Sequence, residues 1–171
     1  METLTIDPLR AVGPLRFGAM SGEVGAVLGA PDRTFAIDSA GSLCEVRETS
    51  AISSCDFEQG RLTALTINHA IVDAVMLGEV ELLRVPLDEV LSRLDQMNGG
   101  TEQIQGGSLC YEALGLMLRQ FEAPGARELL VTSSSIRASE PTRSVGLQEA
   151  LDYYRAQTGR EPKTDWFGRL P

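Results

Sequence analysis

Apolar residues recur along this chain in two rhythms, one helical and one alternating. Val24, Val27 and Leu28 make a helical stripe, with Ser21 placed to cap it, Glu23 in its first turn, and Gly29 and Pro31 to stop it. Leu87, Val90, Leu91 and Leu94 make a second stripe, led by Pro86 at the first helical position and ended by Asn98-Gly99-Gly100. Both stripes are short, so each helix needs a surface to pack on.

Between the stripes the period falls to two, which predicts strands. Residues 42–48 alternate, with Cys44 and Val46 expected on the buried face and Glu45 and Arg47 on the wet face. A turn centred between Thr49 and Ser50 predicts Cys44 opposite Cys55 and Ser42 opposite Phe57. The loop Gln59-Gly60-Arg61 predicts Cys55 opposite Leu65 and Ser53 opposite Ile67. Further on, residues 108–112, 114–122 and 127–136 read as strands, the middle one apolar on both faces and therefore central. Residues 74–77 and 80–83 form either a hairpin about Gly78-Glu79 or a single irregular strand. After Ser144, the spacing of Leu147, Ala150, Leu151 and Tyr154 predicts a third helix ending at Gly159.

Sliding the chain against itself by 66 residues aligns Glu23-Val24 with Glu89-Val90, Leu28 with Leu94, and Gly41-Ser42-Leu43-Cys44 with Gly107-Ser108-Leu109-Cys110. The expected fold is therefore one α+β domain spanning 1–171. It contains two tandem helix-plus-antiparallel-meander units, about 13–70 and about 80–137, that form one sheet with helices on one face. A C-terminal helix and tail, 144–171, complete it.

Composition narrows the function more than it names it. The net charge is −9, from 15 basic and 24 acidic residues, with no basic stripe, so nucleic acid and anionic lipid are poor partners and a basic protein is a good one. Lys163 is the only lysine, a bias that accompanies GC-rich genomes and points to a bacterial cytoplasm. The first residues lack a basic cluster before an apolar run, and no stretch reaches the roughly 18 apolar residues of a membrane helix. Three cysteines, an odd number, fit a reducing compartment, although Cys44 and Cys55 would be placed to form a cross-strand disulfide under oxidation.

Reactive chemistry is sparse. His69 is the only histidine, which removes two-histidine metal sites, and it shares the expected strand face of Leu65 and Ile67. Cys44 or Cys55 with His69 is the one conceivable nucleophile and base, but the alternation turns these side chains inward. No phosphate loop, dinucleotide turn or nucleophile elbow occurs. Glu45, Glu48, Asp56 and Glu58 could cluster on neighbouring strands as glycosidase carboxylates do, though a solvated strand face has the same composition. The expectation is no catalytic residue, no cofactor and no metal.

Residues 13–24, Gly-Pro-Leu-Arg-Phe-Gly-Ala-Met-Ser-Gly-Glu-Val, followed by Leu28-Gly29-Ala30-Pro31, carry a resemblance to a known family. This segment is similar to the repeat unit of the β-lactamase-inhibitor-protein fold, which outer-membrane assembly lipoproteins and cytosolic immunity proteins of polymorphic toxin systems share. The tandem copy resembles the immunity proteins most. What the resemblance implies is an immunity or inhibitor protein that occludes the active site of a cognate, basic toxin. A non-catalytic assembly adaptor is the alternative, and a small-molecule-binding domain or enzyme using a cavity of the sheet is a third. The residues expected to face the partner are Glu45, Arg47, Asp56, Thr66 and Asn68 on the sheet, with Trp166 in the tail either joining them or clamping the tail to the domain.

Overall fold

The structure, a computed structural model, describes residues 2–99, 103–105, 108–119, 128–133 and 143–144. The expected third helix, Trp166 and the rest of the tail lie outside the described residues.

In chain order the elements are β1 (Glu2–Asp7), β2 (Ala11–Val12), β3 (Leu15–Arg16), α1 (Ser21–Leu28), β4 (Arg33–Ala36), β5 (Leu43–Val46), β6 (Ile52–Glu58) and β7 (Arg61–Ile67). There follow β8 (Val72–Leu77), β9 (Val80–Glu81), α2 (Leu87–Asn98), β10 (Gln103–Gln105), β11 (Ser108–Tyr111), a 3-10 turn Glu112–Leu114, β12 (Leu116–Arg119), β13 (Glu128–Thr132) and β14 (Arg143–Ser144). The protein is thus mixed α and β, mostly sheet, with two helices among the described residues.

The helices start 66 residues apart, at Ser21 and Leu87, and each is followed by four antiparallel strands. Together with β14, which pairs with β10, these strands make, among the described residues, one nine-stranded sheet in the order β14-β10-β11-β12-β13-β7-β6-β5-β4, joined where β13 runs antiparallel to β7. The expectation of a single sheet is corrected by a second, five-stranded one, β3-β2-β1-β8-β9. Its centre is a parallel pairing of β1 with β8, which links residues far apart in sequence and leaves no local signal. Residues 74–77 and 80–83 resolve as the hairpin: Met76 pairs with Glu81 and Leu77 with Val80.

One core lies between these layers. Across the large sheet, Cys55, Leu65, Val131, Leu116 and Tyr111 form a row of paired, buried residues, and they share a cluster with Leu4 and Ile6 of β1, Val75 and Leu77 of β8, and Val90 and Leu94 of α2. The sheets approach closely at Gly115, where an added Cβ would lie 2.4 Å from Leu9 Cδ2 and 2.5 Å from the Thr132 carbonyl oxygen. Only glycine tolerates that approach together with a φ of +58°.

The entry to α2 is held by a single side chain. The Glu81 carboxylate accepts backbone N–H bonds from Val75 (3.3 Å), Leu83 (3.0 Å), Arg84 (2.6 Å) and Val85 (3.1 Å). It satisfies the donors of a turn that has no ladder of its own.

Candidate functional site: an exposed apolar hairpin beside a buried ion pair

The turn between β5 and β6 is centred on Ser50, not between Thr49 and Ser50, because Arg47 N–H bonds the Ser53 carbonyl at 2.8 Å and Cys44 pairs with Asp56. A shift of one residue exchanges the two faces of a strand. Glu45, not Cys44, is therefore opposite Cys55 and faces the core. This corrects the expected wet positions of Glu45 and Arg47, whose side chains are only 7% and 3% exposed. It also separates Cys44 from Cys55 onto opposite faces, which rules out the disulfide between them.

Two buried charges require partners, and these have them. Arg47 Nη2 donates to Glu45 Oε2 at 2.7 Å. Ser21 Oγ donates to Glu45 Oε1, and Arg47 Nε donates to the Gly29 carbonyl at 3.2 Å. Arg47 Nη1 is buried without a hydrogen-bond partner among the described residues. The pair thus spans α1 end to end, anion at the N-terminal side and cation at the C-terminal side, matching the helix dipole.

This helix needs the support. It is 8 residues long, about 12 Å, carries Gly22 and Gly25 within it, and has no basic residue in its last turn. Ser21 is its first residue rather than its cap; Met20 occupies the cap position, and Met20 N–H donates to Glu23 Oε2 at 2.7 Å. The Ser21 hydroxyl is committed to Glu45 instead. Pro86 likewise stands one residue earlier than expected, as the N-cap of α2.

The remaining expected contact residues scatter. Asp56 lies half-buried on the face away from the core, opposite Cys44 and Ala64. Thr66 shares that face but is 8% exposed, which corrects its assignment as an open position. Asn68 is half-buried and follows β7, where its Oδ1 accepts the Ala70 N–H at 3.1 Å. That turn ends the strand at Ile67, so His69 lies in the turn and not on the strand face with Leu65. Cys55 pairs with Leu65 as expected, whereas Ile67 pairs with Ile52 across a bulge at Ser53.

The thiols are poor nucleophiles. Burial pushes the Cys44 thiol up to about 12, aided by its hydrogen bond to Asp56. Burial likewise pushes Cys55 up to about 12, against the lowering pull of Arg47. Among the described residues no group of three or more His, Cys, Asp or Glu side chains is placed to hold a metal ion. A hollow of about 780 Å³ at β1–β3 is bordered by Asp7, Arg10 and Arg16, but all three are exposed. It lacks the buried converging polar groups of a small-molecule site.

What the sequence reading missed is β4. Residues 33–36 are exposed on both faces, Phe35 at 50%, and Ile37 beyond them at 53%. Leu43 on β5 and Val27 on α1 add further exposed apolar side chains at 39% and 49%. The loop joining β4 to β5 is ordered by its own bonds. Asp38 Oδ1 accepts from Ala40 N–H (2.9 Å) and Ser42 N–H (3.0 Å), and Asp38 Oδ2 accepts from Ser42 Oγ (2.8 Å). The Ser42 backbone bond, and then its hydroxyl, hold the Asp38 carboxyl below the usual range, so it carries charge. At the other end Asp32 Oδ2 accepts the Glu48 N–H at 2.7 Å, and Arg33 pairs with Glu48. The result is a fixed apolar hairpin with acidic groups at its rim.

No family model, no curated protein and no solved structure matches the chain. Among the described residues, no helix is long and apolar enough to cross a membrane.

Proposed function

We propose that this chain is a non-catalytic inhibitor of the immunity type, acting in a bacterial cytoplasm by binding a cognate basic toxin and occluding its active site. The observation that carries the reading is the β4–β5 hairpin: Phe35 on β4, Ile37 just beyond it and Leu43 on β5 are exposed on a hairpin whose loop is pre-organised by Asp38. An ordered apolar surface costs little further entropy on binding, and its acidic rim and the chain's net charge of −9 favour fast association with a cation-rich enzyme. In this reading the chain is a duplicated scaffold, each unit a helix and its meander, resembling the repeat of the β-lactamase-inhibitor-protein fold.

The test is co-expression with the product of the neighbouring gene. The reading expects a complex stable to size exclusion and rescue of growth in cells that make the toxin. A complex without rescue assigns the chain to assembly or adaptor work instead. Absence of any complex removes both.

A further inference from the structure

Resting on the protein-binding reading, we propose that the partner docks by strand addition: an extended segment, apolar and basic in alternation, pairs with the free edge of β4. Three observations carry this.

First, among the described residues β4 ends the large sheet. Ile37 N–H donates to the Ser42 carbonyl at 2.8 Å, and Phe35 pairs with Cys44 in the same register. In an antiparallel ladder the residues that bond inward alternate with those that point away. Thr34 and Ala36 therefore direct their N–H and C=O groups to the open side. Second, apart from its four-residue length the edge lacks the usual protection. Residues 33–37 contain no lysine, no proline and no bulge, and the one cation, Arg33, is engaged by Glu48. Third, the side chains flanking this edge are apolar on both faces. Phe35 lies on the outer face with Cys44, while Ala36 and Leu43 lie on the α1 face.

Charge selects the occupant. Asp32 and Asp38 flank β4 at its two ends, so a second copy of the chain, paired antiparallel through Thr34 and Ala36, would bring Asp32 of one copy towards Asp38 of the other at both ends of the pairing. Like charges opposite each other destabilise a ladder, and each chain carries −9 overall. A segment with lysine or arginine at those positions meets Asp32 and Asp38 instead. Its apolar residues alternate with them and lie beside Phe35 and Ile37.

The probe is a ten-residue peptide alternating lysine with valine, compared with one alternating glutamate with valine. Ala36→Pro removes one outward N–H without touching the β4–β5 bonds, a position where an edge strand accepts proline. The proposal expects the lysine peptide to bind the full chain and to slow hydrogen exchange at the Thr34 and Ala36 amides. It expects Ala36→Pro to weaken binding at least tenfold while the circular dichroism stays native. Should that variant unfold, the exchange measurement on the natural chain decides alone. Unchanged exchange at both amides, equal binding of the glutamate peptide, or a dimer in sedimentation that Ala36→Pro dissolves would each overturn it. A toxin that binds folded Ala36→Pro as tightly as the natural chain overturns strand addition and leaves the inhibitor reading standing.

Discussion

Residues 33–37 and residues 45–47 belong to adjoining segments of one hairpin, yet the apolar members of the first stand in water and the charged members of the second stand in the core. Phe35 is 50% exposed and Arg47 is 2%. The difference lies in whether a residue's needs are met from within the chain. Glu45 and Arg47 neutralise each other and hold Ser21 and the Gly29 carbonyl, so burial leaves one guanidinium nitrogen unserved. Among the described residues no layer covers Phe35 and Ile37: β4 is the last strand of the sheet, and α1 lies on the face that Glu45 occupies.

The sharpest way to break the contrast is at Arg47. Arg47→Ala leaves the Glu45 carboxylate buried and unpaired, and urea unfolding is expected to show a loss of about 3–5 kcal/mol. The double variant Glu45→Met with Arg47→Leu removes both charges and is expected to recover most of that loss. Ser21→Ala deletes one bond to a charged group, with an expected cost of about 1.5–3 kcal/mol.

The thiols give a gentler probe of the same region. With Cys44 and Cys55 raised to about 12 in the folded chain from 9.0, their protonated forms favour folding fully below pH 9. That contribution is lost as pH rises from 9 towards 12, because the unfolded thiols ionise first. Unfolding midpoints across that window should fall, and Cys55→Ala should flatten the fall. Asp38 has the opposite sign: its contribution is present above its ordinary value of 3.8 and disappears as pH drops through the lowered one. The smallest effect on stability belongs to the exposed hairpin, where Phe35→Ser with Ile37→Ser should stay within about 0.5 kcal/mol of the natural chain by thermal unfolding.

Much of the scaffold is legible in the residues. Val90 and Leu94 mark the buried face of α2, and Leu116, Met117 and Leu118 of the apolar run mark the inner strand β12, although Leu114 belongs to the 3-10 turn before it and Gly115 to the bend between; Gly78-Glu79 marks the turn in one of the two readings its flanks allow. The site is less legible, for a reason specific to β-sheet. Apolar alternation assigns Cys44 and Val46 to the core, and two turn centres half a residue apart, giving registers one residue apart, both fit the sequence between Arg47 and Ser53. The turn at Ser50 wins, placing the Glu45–Arg47 pair under α1, and no pattern of single residues announces a pair that neutralises itself. The edge strand left a fainter trace: Thr34, Phe35 and Ile37 are strand formers between Pro31 and Asp38, but the segment has no polar–apolar alternation and no buried side to strengthen the signal.

Calorimetric titration of the neighbour-encoded toxin into the natural chain and into the Phe35→Ser, Ile37→Ser double variant tests the binding claim most directly. The account predicts tight binding by the first, and at least tenfold weaker binding, about 1.4 kcal/mol, by an equally stable second. Equal affinities would contradict it.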